Sequence, residues 1–325
     1  MLRGSTGLIF IVIIDNDKKM EDYELIIVGS GPAGLSAGLT ASYFKLKTLI
    51  LESGFAGGAL TNQYPWKVVD NCIGFKDMKG AEIADQMVEH IKAEGVEIKE
   101  NETVTDIKPG EESITITTGK SEYSTKSVIL TLGLGVPRKL GIDGENLDGV
   151  IYSLPKPENY AGKKALVTGG GDSAVESAMA LQKAGADTTI IHRKDVFRAS
   201  EENTRKINES GVTIKFNTEA KEILGDGKVE QVKLINNQTN AEETGEFDLV
   251  LVSIGTIPNK EFLEKIGIEL GEKGVKVDEL FRTNIQGIFA AGDVVGTWKR
   301  IPKAIGEGGF AGINAFKYVK KPYWG

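Results

Sequence analysis

The chain has 325 residues, with 46 acidic and 39 basic side chains and a formal net charge of −7. This length predicts two domains. A hydrophobic content of 40% excludes a mainly disordered chain, and the acidic balance disfavours nucleic-acid binding. Because Cys72 is the one cysteine, an internal disulfide, a dithiol redox centre and an all-cysteine zinc site are excluded. With two histidines, we expect no metal site.

Residues 1–19 contain an apolar run at 8–14, which is too short for a membrane-spanning helix of about 20 residues. No small-residue cleavage pattern follows it, so a secretory signal is not favoured. We interpret 1–19 as an N-terminal extension, with the folded chain beginning near Met20. We expect a cytoplasmic protein that contacts no membrane.

A strand–turn–helix–strand unit is predicted at the start of the folded chain. The apolar run 24–28 predicts a buried strand, a helix follows over 32–44, and a strand over 48–51 ends in Glu52. The turn between the first strand and the helix has the pattern GxGxxG and consists of Gly29, Ser30, Gly31, Pro32, Ala33 and Gly34. Such a turn and its helix N-terminus bind a pyrophosphate, and the acid accepts a hydrogen bond from a ribose hydroxyl. Because Glu52 would repel a 2′-phosphate, the unit favours FAD or NAD over NADP.

A second unit of the same kind begins at a predicted strand over 164–168. Its turn consists of Gly169, Gly170, Gly171, Asp172, Ser173 and Ala174, and a helix to about 184 and a strand over 188–191 follow. The second strand leads into His192, Arg193, Lys194 and Arg198 instead of an acid. These cations are suited to a 2′-phosphate and predict NADPH, although a solvated charged loop would have the same composition. We interpret His192 as a structural or ribose-contacting residue.

The two units predict an α/β fold of two Rossmann-like, three-layer ββα nucleotide-binding domains. Short alternating strands are expected over 98–130. A linker into the second domain is expected over 131–138, and a second linker back to the first domain over 252–259. A strand ending in Gly292 and Asp293 and a final helix over 302–319 follow. We therefore predict a FAD-binding domain formed by 20–133 and 257–325. The NAD(P)H-binding domain, 134–256, is inserted into it.

From Met20 onwards the chain resembles the low-molecular-weight thioredoxin reductase family of FAD- and NAD(P)H-dependent flavoproteins. The resemblance rests on the motifs at 29–34, 57–60, 169–174, 192–198 and 292–293. It implies that Asp293 binds the flavin ribitol and that the final helix directs its N-terminus, around Ala304 and Ile305, at the flavin O2. It also implies that Val104 contacts the adenine through its backbone, that Gly133 passes near the flavin, and that the protein is a homodimer.

The C-x-x-C of thioredoxin reductases is missing, since residues 150–163 contain no cysteine. Through residues 57–75 the chain is similar to a branch without that motif, the thioredoxin reductase-type ferredoxin–NADP(+) reductases. This similarity implies FAD contacts from Gly58, Ala59, Leu60 and Asn71, and a Tyr64 ring stacked on the isoalloxazine. Core packing is the alternative role for Tyr64. We interpret Cys72 as a buried apolar residue.

The resemblance implies a reductase in which NADPH reduces FAD and electrons then pass to ferredoxin or another small redox acceptor. No catalytic side chain is required beyond the flavin-stacking Tyr64. Lys299, Arg300 and Lys303, or the lysines near the C-terminus, are candidates for contacting an acidic ferredoxin. The segment after the final helix, with Tyr323 and Trp324, is short and could leave one flavin face accessible to oxygen. An NAD(P)H oxidase is therefore an alternative function. A thioredoxin reductase-like protein without its dithiol and a redox-sensing flavoprotein without turnover also stay open.

Overall fold

The computed structural model describes residues 20–257, 259–296 and 298–323. The extension expected at 1–19, and Trp324, lie outside these residues. The first segment contains, in chain order, β1 (Glu21–Val28), α1 (Pro32–Tyr43), β2 (Thr48–Leu51), α2 (Ala59–Asn62), β3 (Val68–Val69), β4 (Met78–Lys79), α3 (Gly80–Ala93), β5 (Glu97–Lys99), β6 (Val104–Pro109), β7 (Ile114–Thr118) and β8 (Glu122–Leu130).

The middle segment contains β9 (Val136–Pro137), β10 (Val150–Ile151), a 3-10 turn (Pro157–Tyr160), β11 (Lys164–Thr168), α4 (Asp172–Lys183), β12 (Asp187–His192), α5 (Glu201–Asn208), β13 (Thr213–Phe216), β14 (Thr218–Leu224), β15 (Gln231–Asn236), β16 (Glu242–Glu246) and β17 (Leu249–Val252). The last segment contains β18 (Thr256–Ile257), α6 (Lys260–Lys265), β19 (Leu270–Gly271), β20 (Gly274–Val275), β21 (Ile288–Ala290), a 3-10 turn (Gly292–Val295) and α7 (Ile301–Lys320). We call 134–256 the inserted domain and the flanking segments the outer domain.

The outer domain is built on a sheet ordered β5-β2-β1-β8-β7-β6, with β21 added by parallel pairing to β8. Val28 at the end of β1 lies opposite Leu51 of β2 and Leu130 of β8. Ala290 of β21 also lies opposite Leu130. The carboxyl ends of four parallel strands therefore meet at one edge, where open α/β sheets bind their ligands.

Alternate residues of β1 enter two different cores, because successive side chains of a strand point to opposite faces. Leu25 and Ile27 pack with residues of α1, α3 and α7, and Ile26 packs with residues of β6, β7, β8 and α6. Helices α1 and α7 approach closely, since a Cβ at Gly308 of α7 would overlap the carbonyl group of Ala33 in α1. This packing fixes α7 beside the turn that precedes α1.

The inserted domain combines a parallel sheet, β10-β17-β11-β12-β13, with an antiparallel sheet, β14-β15-β16. Thr168 at the end of β11 lies opposite Ile191 of β12 and Val252 of β17, so this sheet also collects its carboxyl ends at one edge. Helix α4 buries Ala174, Ala178 and other residues at helical spacing against one face. The predicted α/β class with two Rossmann-like units is confirmed.

Two short strands carry the chain between the domains. β9 leads into the inserted domain and β18 leads out of it, and the two pair antiparallel, with Val136 opposite Ile257. No helix of the described residues is long and apolar enough to cross a membrane.

Candidate functional site

The first glycine turn brings α1 directly against the strand ends of the outer sheet. Gly29 has a φ of +105°, and a Cβ there would overlap the carbonyl oxygen of Thr131. A Cβ at Gly34 would overlap the carbonyl oxygen of Gly29. Gly31 is the N-cap of α1 and makes no side-chain capping bond, so the first-turn amides are suited to a phosphate.

The segment at 57–60 lies over this turn. A Cβ on Gly58 would lie 2.6 Å from the Cα of Gly31, and α2 begins one residue later, at Ala59. The two backbones thus form a cradle that side chains would fill. A cradle of this kind fits a diphosphate approached by backbone atoms, as the sequence pattern predicts.

Glu52 is buried and accepts four hydrogen bonds in this structure. Its Oε2 accepts from the amide and hydroxyl of Ser30, at 2.9 and 2.8 Å. Its Oε1 accepts from the amide of Gly54 at 2.9 Å and the hydroxyl of Ser53 at 3.2 Å. A carboxylate offers about four lone-pair sites, so Glu52 stabilises the glycine turn. For Glu52 to bind a ribose hydroxyl as predicted, the ribose hydroxyl must replace the side-chain hydroxyl of Ser30 or Ser53 as a donor to the carboxylate.

Asp293 follows the buried Gly292 at the same edge of the sheet. Its Oδ1 is buried and has no hydrogen-bond partner within the described residues. Burial raises the pKa of this carboxyl group, and the positive charges of Lys303 and Lys299 partly oppose the rise. An unpaired buried oxygen is costly, and a ribityl hydroxyl would satisfy it. The orphaned oxygen and the glycine cradle therefore both fit FAD.

An ion pair in the first turns of α7 fixes the turn that carries Asp293. Lys303 Nζ donates to the carbonyl of Gly292 at 2.9 Å and pairs with Glu307 Oε2 at 2.9 Å. The same Glu307 oxygen accepts from the Gly292 amide at 2.9 Å. The two side chains are only 14% and 20% exposed. Lys303 is thus not part of an exposed basic patch, in contrast to the expectation from the sequence.

The N-terminus of α7 lies one residue before the start predicted for the final helix. The helix begins at Ile301 with Pro302 in its first turn, and the amide of Ala304 already donates to the carbonyl of Arg300 at 3.0 Å. Pro302 favours a helix start at this point. Ala304 and Ile305 are the fourth and fifth residues of the helix, and the implied approach of this helix end to the flavin O2 stays a prediction. Ala304 is buried near Gly292, and the carbonyl of Ile305 accepts from Ser36.

The remaining residues expected around FAD are more widely placed. Tyr64 follows α2 and is half-buried, Asn71 is exposed between β3 and β4, Val104 opens β6, and Gly133 follows β8 with a φ of +65°. Their contacts with FAD stay predictions. Cys72 is buried in an apolar cluster, and this burial raises the pKa of its thiol.

A cavity of about 710 Å³ lies at the carboxyl edge of the inserted domain's parallel sheet. Four of the eight residues predicted to bind NADPH line it: Gly169, His192, Arg193 and Arg198. The other lining residues are Arg138, Lys139, Leu140, Thr168, Gly170, Ile191, Thr218, Glu219, Ala220, Ile254 and Ile257. Arg138 and Lys139 were not predicted to lie here, and their one signal in the sequence is a basic pair at the end of the predicted linker.

This cavity carries unpaired positive charges and buried polar atoms without hydrogen-bond partners in the described chain. Arg193 and Arg198 are exposed, and neither forms a salt bridge with any residue that the structure describes. Thr168 Oγ1 and His192 Nε2 are buried without hydrogen-bond partners in the described chain. Burial lowers the pKa of His192, and Arg198 and Arg193 lower it further, so the imidazole is neutral near pH 7. Orphaned polar atoms beside unpaired cations fit a polar, anionic ligand.

Other residues expected to bind NADPH lie outside the cavity lining. Gly171 is the N-cap of α4, and Asp172 accepts hydrogen bonds from Ser200 and Asn203. Lys194 is exposed and Ser173 faces Tyr64. The structure gives these residues other neighbours, and their contacts with NADPH stay predictions. Among the described residues no group of three or more His, Cys, Asp or Glu side chains is placed to hold a metal ion.

Comparison with known proteins gives consistent matches over almost the whole chain. A family model described as pyridine nucleotide-disulphide oxidoreductase matches residues 23–308. A ferredoxin–NADP reductase of Ignicoccus hospitalis is 36% identical, over 93% of this chain and 99% of its own length. A thioredoxin reductase of Listeria innocua is also 36% identical, over 92% of this chain and 94% of its own.

Solved structures agree with the fold to different extents. Thioredoxin reductase of Lactococcus lactis in its FR conformation is 33% identical and superposes with a TM-score of 0.83, covering 92% of this chain and all of its own. The enzyme of Streptococcus pyogenes is 31% identical and covers 93% of this chain and 99% of its own, with a TM-score of 0.59.

Proposed function

The chain belongs to the pyridine nucleotide-disulphide oxidoreductase family, and we propose that within this family it is a ferredoxin–NADP(+) reductase. Relatives of equal identity carry the names ferredoxin–NADP reductase and thioredoxin reductase. These proteins use FAD and NADPH, and the chain is a flavin-dependent NAD(P)H oxidoreductase. The observation that favours ferredoxin over a disulfide is the cysteine content of this chain.

Disulfide reduction by thiol exchange needs an attacking and a resolving thiol. Cys72 is the one cysteine of the chain, so the pair cannot form within it. Its sulfur is also buried and its thiol pKa is raised, which lowers the thiolate fraction that would attack. An acceptor of single electrons needs no thiol at all.

The outer domain supplies the proposed FAD site. FAD, when bound, accepts a hydride from NADPH and can release the two electrons one at a time. Gly31 and Gly58 admit the diphosphate to backbone amides, and the unpaired Oδ1 of Asp293 accepts a hydrogen bond from a ribityl hydroxyl. Tyr64 covers the ring system. These residues bind and orient, and none of them exchanges a proton with substrate.

The cavity of the inserted domain is the proposed NADPH site. The unpaired guanidinium groups of Arg193 and Arg198 bind the 2′-phosphate. The neutral imidazole of His192 presents Nε2 to a ligand hydroxyl or amine. Both sites lie at the carboxyl ends of parallel strands, as is usual for dinucleotides.

An NAD(P)H oxidase is the second candidate, and one observation favours it. After α7 the structure describes Lys321, Pro322 and Tyr323, and Tyr323 is fully exposed, so packing against the described residues does not hold its ring over a flavin face. In a homodimer a second copy would have to supply that cover. The homodimer and the cytoplasmic location stay predictions.

A comparison of electron acceptors tests the proposal. We expect NADPH-dependent turnover with a ferredoxin, little turnover with thioredoxin or a small disulfide, and slow oxygen consumption. The variant C72S should show the same profile, because the sulfur has no role in it. Disulfide turnover that matches ferredoxin turnover would overturn the proposal, and turnover with oxygen alone would favour the oxidase.

A further inference from the structure

The segment after α2 connects the two domains. Lys67 Nζ of the outer domain pairs with Glu176 Oε2 of α4 at 2.7 Å. The indole Nε1 of Trp66 donates to the carbonyl of Leu154 at 2.5 Å. We propose that Trp66, Lys67, Leu154 and Glu176 form an interdomain latch, and that Trp66 and Lys67 are positioning residues for the proposed reductase. The latch holds the second glycine turn against the flavin side of the outer domain.

Trp66 is the apolar part of the latch. Its ring is half-buried and packs against the core cluster of the inserted domain, which contains Leu154. Its one polar atom is satisfied by the Leu154 carbonyl. A Trp ring that enters another unit's apolar cluster with its N–H paired is typical of an anchoring residue.

Lys67 is the charged part of the latch, and its partner Glu176 is connected by hydrogen bonds to the loop that lines the cavity. Glu176 accepts from Lys67 through Oε2 and from Asn203 Nδ2 through Oε1, at 3.1 Å. Asn203 also donates to Asp172 Oδ1 at 2.7 Å, which in turn accepts from the amide of Ser200 at 2.9 Å. The latch is therefore hydrogen-bonded, through α5, to the end of the loop that carries the cationic residues of the cavity.

The latch also determines which surfaces face each other. Tyr64, the proposed flavin-stacking residue, lies two residues before Trp66, and its hydroxyl is 3.4 Å from the hydroxyl of Ser173 in the second turn. The latched arrangement thus places the first residues of α4 beside Tyr64. Hydride transfer requires the reacting atoms of the nucleotide and the flavin to approach to about 3–3.5 Å, so the two proposed sites must face each other.

The latch is not the sole connection between the domains in the described chain, since Tyr64 contacts Ser173 and β9 pairs with β18. Interfaces between domains of one chain commonly permit relative motion. The two thioredoxin reductase structures compared above differ from each other in their agreement with this chain, with TM-scores of 0.83 and 0.59 at similar identity and coverage. The latch contacts belong to the arrangement seen here.

The test uses K67M, which removes the charge and keeps the stem, and W66F, which keeps an aromatic ring and removes the N–H. The matched control is K320M. Lys320 pairs with Glu24 within the outer domain, and the side chains are 41% and 22% exposed, against 42% and 18% for Lys67 and Glu176. The charge-swapped double variant K67E/E176K restores the pair with reversed polarity.

The first measurement is anaerobic single-turnover reduction of the flavin by NADPH. For K67M we expect the limiting rate to fall about twofold to fivefold, as for loss of a partly exposed ion pair. Because Glu176 keeps its bond to Asn203, the NADPH dissociation constant should change less than about twofold. We expect W66F to lower the limiting rate, the double variant to recover most of it, and K320M to match the parent.

The second measurement is independent of cofactor chemistry. Spin labels at K120C and K183C, both exposed positions in different domains, report the interdomain distance in a C72S background. We expect one narrow distance in the parent and in K320M, and a broadened or shifted distribution in K67M and W66F. Unchanged distances together with unchanged rates in both latch variants would overturn the latch. If the parent is not reduced by NADPH but its distance depends on Lys67, the proposed function fails and the latch stands.

Discussion

Replacing Arg193 or Arg198 by alanine should shift the nucleotide preference from NADPH towards NADH. Both guanidinium groups line the cavity, and no carboxylate of the described residues forms a salt bridge with either. Their charge is therefore available to the 2′-phosphate, the group that distinguishes NADPH from NADH. Loss of one arginine should weaken the reaction with NADPH alone.

The size of the effect follows from exposure. A hydrogen bond to a charged group contributes about 1.5–3 kcal/mol, and screening by solvent places exposed groups at the lower end. At about 1.36 kcal/mol for a tenfold change, each variant should lose about tenfold in kcat/KM for NADPH. The double variant should lose about a hundredfold if the effects add.

Steady-state turnover with both nucleotides and one artificial acceptor measures this preference. Arg205 provides the control, since it lies in the same domain but pairs with Glu202 and Glu209 on α5. R205A should stay within about twofold of the parent. Equal losses with NADH and NADPH, or no loss for either cavity arginine, would show that these cations form a solvated loop and that the 2′-phosphate binds elsewhere.

Three further variants test individual contacts. E52Q replaces one acceptor oxygen of the Glu52 carboxylate by an N–H donor that faces the donors of Ser30 or of Gly54. FAD content should therefore fall, and the free energy of unfolding in urea should fall by about 2 kcal/mol. An unchanged unfolding midpoint would argue against the role of Glu52 in stabilising the glycine turn. K303M leaves the Glu307 carboxylate without its cation, so the dissociation constant for FAD, measured by fluorescence quenching in the apoprotein, should rise about tenfold; K303R should recover part of it. The lowered pKa of His192 means that the folded state binds a proton less readily than the unfolded state, whose value is near 6.5. Stability should therefore fall as the pH drops below about 6.5, and H192Q should reduce that slope in urea titrations; identical slopes would contradict the assignment.

The local parts of both sites could be predicted from the sequence. The turn at Gly29 follows an apolar strand and opens a helix, and the φ of +105° there and the close approach of Thr131 are what the glycine spacing requires. The same holds for Gly169, whose Cβ would overlap the carbonyl of Ser253. The strand, the turn and the helix each depend on residues that are neighbours in the sequence, so they can be predicted without knowledge of tertiary contacts.

The contacts between distant segments could not be predicted in this way. Lys67 and Glu176 are 109 positions apart and meet only because the inserted domain folds back on the outer one. Arg138 enters the cavity because β9 pairs with β18, and no local pattern reports that pairing. The start of the final helix is in contrast a local signal, since the sequence predicts it at 302 and α7 begins at Ile301 with Pro302 in its first turn.

The most direct test of the central claim is an anaerobic titration of the purified protein with NADPH, followed by its visible absorption spectrum. We expect a yellow protein with bound FAD that loses its flavin band as about one equivalent of NADPH is added, because a flavin accepts two electrons. A colourless protein that binds no FAD from an excess of it, or a bound flavin that NADPH does not reduce, would contradict the account.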